Sequence, residues 1–400
     1  MLKTIITLFT LQTLFTLNSF TQWVQVSNGM GNLNVSSLAS GGNNIFAGTY
    51  ASGVYLSTNN GTNWTQTSLT NSVSSLAVNG NYIFAGGYDG VFVSTDNGTN
   101  WTHTSLNNEY VYSLAVNGNN VFAGTEFRVY LSTNSGTTWT QTSLNRTVRS
   151  FVFNGNNVFA GCAGAMPDGV YLSTNNGTSW TQTSLNNRYV TSLAVKGDTI
   201  FAGTSANQGV YLSTNNGTNW TQTSLNNRSV SSLAVNGNNI FAGCFSGGVY
   251  VSNDNGANWT PRNEGLGNLS VQALSISNNF IFAGTDGNSV YRRPLDQLVG
   301  IQPISGQLPS HFALEQNYPN PFNPTTKIKF DVPSVGQTFL SVYDVLGKEV
   351  ATLVNEQLNA GTYEVDWDAS NYPSGVYMYQ LIAGDPSAPL RMTKKMILVK

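Results

Sequence analysis

Charged side chains are scarce in this sequence. Only 9% of its 400 residues are Asp, Glu, Lys or Arg, and the net charge is −2, whereas ordinary soluble domains carry roughly 25% charged residues. A chain this close to neutral lacks the positive field that nucleic acids require, so we expect no nucleic-acid partner. Beyond the N-terminus no uninterrupted apolar run reaches the length of about 18 residues typical of a membrane span, which predicts no transmembrane anchor. The 12% aromatic content excludes a disordered chain.

Cysteine and histidine are also rare. The two cysteines cannot build a disulfide framework, and neither they nor the two histidines, His103 and His311, stand at metal-ligand spacing. We therefore expect neither a metal site nor a cofactor. These features together predict an all-β protein whose surface carries Asn, Thr, Ser and Gly in place of charge.

The N-terminus has the layout of a secretory signal peptide. Met1-Leu2-Lys3 supplies a short basic start, and residues 4–17 form an apolar stretch interrupted by threonines. This stretch is too short for a comfortable membrane span. We assign residues 1–21 to the signal peptide, so the mature chain is expected to leave the cytoplasm.

Four sequence elements recur seven times with a period of roughly 40 residues, which is typical of a propeller or a solenoid. Tryptophans stand at 23, 64, 101, 139, 180, 220 and 259. The Phe of an apolar-Phe-Ala-Gly run stands at 46, 84, 122, 159, 201, 241 and 282. The aromatic residue of a third element stands at 55, 92, 130, 171, 211, 250 and 291, and a Val-Ser-Ser-Leu-Ala-Val type of element begins at 35, 73, 111, 148, 190, 230 and 271.

Each repeat is predicted to be a four-stranded antiparallel meander, because its β-rich elements of about five to eight residues are bounded by glycine turns. Seven such meanders predict a seven-bladed β-propeller over residues 22–294. The first Trp element, at Trp23, precedes any Val element, and the last repeat stops after its third element, at Tyr291. The N-terminal strand should therefore complete blade seven and close the ring. We expect a monomeric propeller.

Six repeats carry the same turn between the third and fourth elements. The turns are Ser57–Trp64, Ser94–Trp101, Ser132–Trp139, Ser173–Trp180, Ser213–Trp220 and Ser252–Trp259. Their Ser-x-Asx-x-Gly-x-x-Trp pattern resembles the Asp-box, or bacterial neuraminidase repeat. The third positions are Asn59, Asp96, Asn134, Asn175, Asn215 and Asp254, and the tryptophans are Trp64, Trp101, Trp139, Trp180, Trp220 and Trp259.

A structural role for these turns follows from their residue types. The Asx oxygen can accept backbone N–H bonds inside its own turn, the Gly supplies a positive φ, and the Trp packs in from the surface. One side-chain oxygen per turn makes a poor calcium cage. We therefore interpret the turns as structural elements and not as metal sites.

Loop sequences differ sharply between the two faces predicted for the ring. One face carries the nearly identical turns, whereas the other carries varied loops and the connections between blades. A binding site on a repeat scaffold usually lies in such loops, although unconstrained loops would vary in the same way. The candidate binding residues are Tyr50, Tyr88, Arg128, Arg149, Arg188 and Arg228.

The Asp-box resemblance raises the possibility of an enzyme, because propellers of this kind include sialidases and some endoglucanases. Glycosidases need two carboxylates about 5–9.5 Å apart, and Asp89, Glu109 and Glu126 are the best candidate cluster. The variable loops are short, however, and the sequence lacks an Arg-Ile-Pro motif. We therefore favour a non-enzymatic module that binds a surface glycan or a protein, with a glycoside hydrolase as the alternative.

The last ninety residues differ in composition from the repeats. Residues 295–310 are predicted to be a linker, and closely spaced prolines then exclude a helix at the start of residues 311–400. Strands are expected at residues 327–332, 338–343, 348–354, 361–367, 375–382 and 392–399. Short strands separated by Gly, Pro and Asn turns predict an Ig-like β-sandwich.

This region resembles the type A C-terminal sorting domain of the type IX, or Por, secretion system. The matching pieces include Asn317 to Pro324, Val342 to Leu353, Tyr372 to Tyr377 and Thr393 to Lys400. Its motif residues are Asn317, Pro319, Asn320, Pro321, Phe322, Gly375, Lys394 and Lys395. The resemblance implies passage through the periplasm of a Gram-negative bacterium and export by the type IX machinery, to the cell surface or the medium. The alternative is an ordinary interaction domain.

Overall fold

The computed structural model describes residues 22–31, 33–295, 303–305, 308–358, 360–370, 372–383 and 390–400. They divide into two compact units, one of residues 22–295 and one that begins at residue 303. The named secondary-structure elements of these residues are all β-strands. The predicted signal peptide lies outside them, as do residues 296–302 and 306–307 of the predicted linker. Within the same residues, no helix is long and apolar enough to span a membrane.

The first unit contains seven sheets of four strands each. The first strands are Val35–Gly41, Ser75–Asn79, Val111–Asn117, Val148–Asn154, Val190–Lys196, Val230–Asn236 and Val271–Ser277. The second strands are Asn44–Thr49, Tyr82–Gly87, Asn120–Thr125, Asn157–Cys162, Thr199–Thr204, Asn239–Cys244 and Phe280–Thr285. The third strands are Gly53–Ser57, Gly90–Ser94, Val129–Ser132, Gly169–Ser173, Val210–Ser213, Gly248–Ser252 and Val290–Pro294. The fourth strands are Val24–Gln25, Thr65–Gln66, Thr102–His103, Thr140–Gln141, Thr181–Gln182, Thr221–Gln222 and Thr260–Pro261.

The predicted closure of the ring is confirmed. The N-terminal strand Val24–Gln25 pairs antiparallel with Val290–Pro294 and forms the fourth strand of the seventh sheet. Trp23, just before it, is fully buried, and its Nε1 donates to the carbonyl of Arg262 at 2.6 Å. The fold is therefore a seven-bladed β-propeller closed by its own N-terminus.

The fourth strands are only two residues long, which corrects the predicted length of five to eight. Blade one shows the reason. After Gln66 the pairing is reduced to two backbone hydrogen bonds of Val54. Thr67 N donates to the Val54 carbonyl, and Val54 N donates to the Leu69 carbonyl. The outermost strand of each blade is thus a short pairing followed by an irregular, hydrogen-bonded segment.

Each blade packs against the next through a glycine. A Cβ built on Gly203 would lie 2.6 Å from Cγ1 of Val230, closer than real Cβ contacts allow. The glycine of every Phe-Ala-Gly run faces the valine that precedes or begins the next first strand. The seven pairs are Gly48–Val73, Gly86–Val111, Gly124–Val148, Gly161–Val190, Gly203–Val230, Gly243–Val271 and Gly284–Val35.

Serine hydroxyls add polar links between blades. The second serine of the Val-Ser-Ser element accepts a hydrogen bond from the backbone N–H of the leucine in the next blade. Ser37 and Leu76 show this link at 2.9 Å, and Ser192 and Leu233 at 2.8 Å. The repeated Val-Ser-Ser-Leu sequence is therefore explained by contacts made around the ring.

The six Ser-x-Asx-x-Gly turns share one hydrogen-bond pattern. In blade two, Ser94 Oγ donates to Asp96 Oδ1 at 2.9 Å and accepts from Gly98 N at 2.8 Å. Asn100 N donates to the same Asp96 oxygen at 2.9 Å. The two residues after Asp96 both have positive φ, Asn97 at 57° and Gly98 at 82°. The Asx oxygen thus holds the turn as predicted, and the turn needs two left-handed residues where only the glycine was expected.

The second unit consists of two four-stranded antiparallel sheets that share one core. One sheet has the order Pro303–Ser305, Gly361–Asp368, Thr325–Val332 and Ala313–Leu314. The other has the order Glu349–Leu358, Gly336–Tyr343, Gly375–Ala383 and Leu390–Leu398. Phe330, Val342 and Tyr379 are fully buried between them. The six predicted strands are present, and two short strands are added, of which Pro303–Ser305 lies inside the predicted linker.

The glycine contact predicts a specific cost for a single methyl group. Gly203→Ala should lower the free energy of unfolding by about 1–3 kcal/mol, because the new Cβ overlaps Cγ1 of Val230. Val230→Ala should also destabilise, by leaving a cavity. The double variant should lose less than the sum, since the second change removes the clash of the first. Urea unfolding followed by tryptophan fluorescence measures all three, and strict additivity would contradict the contact.

The two aspartate turns predict an acid-sensitive part of the stability. Hydrogen bonds from Asn100 and Ser94 lower the pKa of Asp96. Burial raises the pKa of Asp254, but hydrogen bonds from Asn258 and Ser252 outweigh the effect of burial, so the pKa of Asp254 is also lowered. A carboxylate with a depressed pKa stabilises the fold above its unfolded value, and this stabilisation is lost as the pH falls through the folded value.

Asp96→Asn/Asp254→Asn should therefore make the fall in unfolding free energy between roughly pH 5 and pH 3 shallower. Asn175→Asp is the matched control, because Ser179 and Ser173 stand ready to donate to the added carboxylate. It should steepen the same fall. Denaturant titrations at several pH values test both, and identical slopes in all three proteins would refute the assignment.

Candidate functional site at the channel mouth

Hydrogen bonds between turns divide the propeller into two faces. Turns between first and second strands join the Ser-x-Asx-x-Gly turns, as in the 3.2 Å bond from Asn44 to Asn97. Loops between second and third strands join the connections between blades, as in Ser205 N to the Tyr189 carbonyl at 3.0 Å. We call the second set the variable face, and its two sets of loops lie together as the sequence predicted.

A cavity of about 430 Å³ opens where the variable face meets the ring axis. Residues from all seven blades line it, which places it over the central channel. The aromatic lining consists of Tyr50, Tyr110, Tyr112, Tyr189 and Phe245. The remaining side chains that reach it are mostly hydroxyls, together with Arg149 and Gln272.

A β-bulge explains which side chains reach the cavity. The valine at the start of each first-strand element is buried between blades. In six blades the register of the first two strands shifts across the residue after the valine, so that residue is unpaired and is turned toward the channel. These seven residues all line the cavity. They are Ser36, Ser74, Tyr112, Arg149, Thr191, Ser231 and Gln272. We call them the channel ring.

In three blades the channel-ring hydroxyl links one blade to the next. The hydroxyl protons of Ser36, Thr191 and Ser231 are each shared between a carbonyl of their own blade and the carbonyl of the next blade's valine. The other four blades depart from this pattern, because Ser74 donates to the Tyr110 hydroxyl and because Tyr112, Arg149 and Gln272 replace the Ser or Thr. Ser113 replaces the lost bond of blade three by donating to the Val148 carbonyl at 2.8 Å.

The side chains of blades two, three and four form a continuous stack. The rings of Tyr88 and Tyr110 lie 4.0 Å apart at 17°, and those of Tyr110 and Tyr112 lie 4.2 Å apart at 45°. The Arg149 guanidinium carbon lies 3.7 Å from the Tyr112 ring centroid. Burial raises the pKa of Tyr50 and Tyr112, while the Arg149 charge opposes the rise in each. The stack therefore ends in a cation at the channel mouth.

Three of the six predicted binding residues meet at this site. Tyr50 and Arg149 line the cavity, and Tyr88 belongs to the stack beside it. The other three hold their own blades together. Arg188 donates to the Tyr211 hydroxyl and Arg228 to the Tyr250 hydroxyl, each at 2.9 Å, whereas Arg128 pairs with Glu109 at 3.0 Å.

The candidate carboxylates lie outside the cavity lining. Glu109 accepts from the Tyr130 hydroxyl at 2.7 Å in addition to its bond with Arg128, and Asp89 accepts from Asn71 at 2.8 Å. Glu126 raises the pKa of Tyr112 through its charge, although burial of the tyrosine is the larger cause. In the part of the chain that the structure describes, no carboxylate lines the cavity.

Several residues of this surface were missed from sequence. Tyr110, Tyr112, Tyr189 and Phe245 line the cavity, and Phe127 and Met166 are exposed on neighbouring variable loops. Counting one residue beyond each repeated valine would have found Tyr112. The exposed apolar residues share no period, so only the structure brings them together.

The described residues hold no group of three His, Cys, Asp or Glu side chains placed to bind a metal. Cys162 and Cys244 are both free and buried at the ends of second strands. Burial raises the pKa of both thiols, that of Cys244 to about 12. They are packing residues of the scaffold.

In the second unit, the predicted motif fastens the C-terminal strand. Phe322 is buried, its N–H donates to the Ile397 carbonyl at 3.0 Å, and its carbonyl accepts from Val399 N at 2.9 Å. Asn320 Oδ1 accepts from Ile397 N at 3.0 Å. Asn317 is buried and donates to Thr326 and to the Pro319 carbonyl.

The remaining motif residues lie at the surface of this unit. Pro319, Pro321, Gly375 and Lys395 are exposed, and Lys394 is half-buried. The motif therefore combines residues that bond to the last strand with residues that are exposed at the surface of this unit.

The two units define an exported β-propeller with a C-terminal secretion domain. Residues 316–399 match the secretion system C-terminal sorting domain, and residues 169–280 match the DUF6242 beta propeller domain. No curated protein is significantly similar in sequence. The sorting domain directs the protein through the type IX secretion system of Gram-negative Bacteroidetes, to the cell surface or out of the cell.

Solved structures share the fold at low sequence identity. PorZ, an essential surface component of the type IX secretion system of Porphyromonas gingivalis, matches with a TM-score of 0.55 and 16% identity over 92% of this chain and 60% of its own. YCF48 bound to the D1 peptide matches at 0.54 and 13%, over 68% of this chain and 94% of its own. An ancestral GH74 enzyme matches at 0.54 and 19%, over 91% and 60%. The chain thus spans about 60% of the length of PorZ.

The sorting domain predicts where a truncated protein will stop. Deleting residues 311–400 should leave the propeller in the periplasm, because the second passage depends on this domain. Cell fractionation and surface protease digestion measure the distribution, with full-length Arg188→Gln as a control that keeps the domain. Surface display of the truncated protein would contradict the assignment.

Proposed function

We propose that the exported propeller is a non-catalytic binding module whose ligand is a glycan seated at the channel mouth. The observation that carries this proposal is a cavity lined by all seven blades, five of which contribute aromatic rings or hydroxyls. Concave sites with flat aromatic walls and a few convergent polar groups are typical of small-ligand binding. Tyrosines suit a sugar because each offers an apolar face and a polar edge.

A glycan fits this site better than a folded protein does. The cavity of about 430 Å³ admits a few sugar rings, whereas a protein partner would rest on the surrounding rim. That rim includes the exposed side chains of Phe127 and Met166. YCF48 with its D1 peptide shows a propeller that binds a polypeptide, and a protein ligand is therefore the outcome that competes with the glycan.

The alternative function is glycoside hydrolysis, with Asp89, Glu109 and Glu126 as the candidate carboxylates. Hydrolysis needs two carboxyl groups that flank the scissile bond. Glu109 is already engaged by Arg128 and Tyr130, and the described lining of the cavity holds no carboxylate. These contacts favour binding without turnover.

The remaining assignments complete the proposal. The six Ser-x-Asx-x-Gly turns act as Asp-boxes with a purely structural role. The chain divides into a signal peptide at 1–21, a propeller at 22–294, a linker at 295–310 and a sorting domain at 311–400. The propeller acts as a monomer, because the outer edge strand of each blade is only two residues long and offers little for association.

Tyr110→Ala should weaken glycan binding at least tenfold, because it removes the middle ring of the stack between Tyr88 and Tyr112. Phe127→Ala is the matched control, since this exposed side chain lies outside the cavity lining. Glycan-array binding and calorimetry of the full chain measure the effect, alongside release of reducing sugar.

The same experiment separates the competing functions. Reducing-sugar release that Glu109→Gln or Glu126→Gln abolishes would establish the hydrolase and overturn the proposal. Failure of every glycan to bind, with loss of a protein partner in Phe127→Ala, would replace the glycan by a protein.

A further inference from the structure

The channel mouth contains one unusual charge. Arg149 is the only charged residue in the described lining of the cavity, and the part of the chain that the structure describes gives it no ion-pair partner. Other arginines of the variable face are engaged by a carboxylate or a tyrosine hydroxyl, as Arg128 and Arg188 show. Among the described residues, Arg149 donates one hydrogen bond, from Nε to the Ala163 carbonyl at 3.3 Å.

The orientation of Arg149 is fixed by its neighbours. Its guanidinium lies over Tyr112, which is itself supported by Tyr110 and Tyr88. Stacking of this kind holds the planar group in place. Because Nε is bonded to the Ala163 carbonyl, a ligand would pair with the two terminal nitrogens of the guanidinium. A charge held in advance loses little freedom when a ligand binds.

The scaffold gives up a structural link at this point. In blades one, five and six the same channel-ring position holds a hydroxyl that bridges to the next blade. Ser74 of blade two donates to the Tyr110 hydroxyl instead, Gln272 replaces the hydroxyl residue in blade seven, and Ser113 restores the link in blade three. Blade four has Arg149 in this position, with its Nε bonded to the Ala163 carbonyl of the same blade. A charged side chain at a position that holds Ser or Thr in four of the seven blades is expected to serve a ligand.

We propose that the ligand carries a carboxylate that pairs with Arg149, so that the module recognises an acidic glycan. This inference rests on the proposed glycan-binding function and specifies its ligand class. A guanidinium presents a planar fork of donors that matches a carboxylate through two parallel hydrogen bonds. Asp286 and Glu126 lie outside the lining, and their charges raise the pKa of Tyr50 and of Tyr112, respectively, although burial is the larger cause for each.

The test uses the full chain and matched saccharides. The probes are oligosaccharides of galacturonic, glucuronic and mannuronic acid and of N-acetylneuraminic acid, each beside its methyl ester, with sulfated and neutral oligosaccharides on the same array. The acid form of at least one pair should bind about tenfold or more tightly than its ester. Arg149→Gln should abolish the preference for the acid over the ester. Arg149→Lys should keep part of this preference, because lysine keeps the positive charge but lacks the planar pair of N–H donors.

Arg188→Gln is the control, because it removes a guanidinium that lies outside the cavity. Circular dichroism verifies that each variant is folded. Equal binding of acids and esters, unchanged in Arg149→Gln, would overturn this inference and leave the glycan-binding function standing. An Arg149-dependent preference for sulfated probes alone would overturn the carboxylate assignment. Binding of no saccharide at all would overturn both proposals.

Discussion

The contact on which the propeller depends is the one between a glycine and a valine of the next blade. It recurs seven times, and the pair Gly284–Val35 closes the circle. A side chain on the glycine would push the blades apart, so the blades can approach only where the second strand carries no Cβ. Because every valine is held between two blades, the direction of the following residue is fixed as well. One steric requirement therefore sets both the ring and its channel lining.

That lining is where the repeats cease to be equivalent. Hydroxyls at the channel ring bridge blades in three places, whereas the other four channel-ring residues make no such bridge in the described structure. Ser74 donates to the Tyr110 hydroxyl instead, and Ser113 supplies a substitute bond beside Tyr112. Arg149 is the one charged residue among the seven, which is more readily explained by a ligand than by unconstrained variation.

Sequence alone predicted the seven blades, their closure and the six main strands of the sandwich, because each depends on a local period that hydrophobic and glycine positions record directly. It could not rank the arginines. Arg149 stands one residue after its valine and faces the channel, whereas Arg188 and Arg228 stand two residues before theirs and bond to tyrosines of their own blades. The distinction depends on the β-bulge after the valine and on a partner about 22 residues away, neither of which charge or residue type reveals. The stack of three tyrosines and Arg149 joins three blades and has no sequence period.

Because charged residues are scarce, the charge of Arg149 has few other charges near it in the channel mouth. A guanidinium among many surface charges is partly compensated by them and screened by salt, but the cavity offers this one no counter-charge within its described lining. Its side chain is exposed, and the tyrosine face beneath it holds the guanidinium in one orientation. The Asn-rich turns belong to the same design, since four of the six replace a carboxylate by an amide that keeps the accepting oxygen. A propeller held together by glycine, hydroxyl and amide contacts needs few ions, so Arg149, the one charge in the described lining of the channel mouth, is not required to hold the fold together.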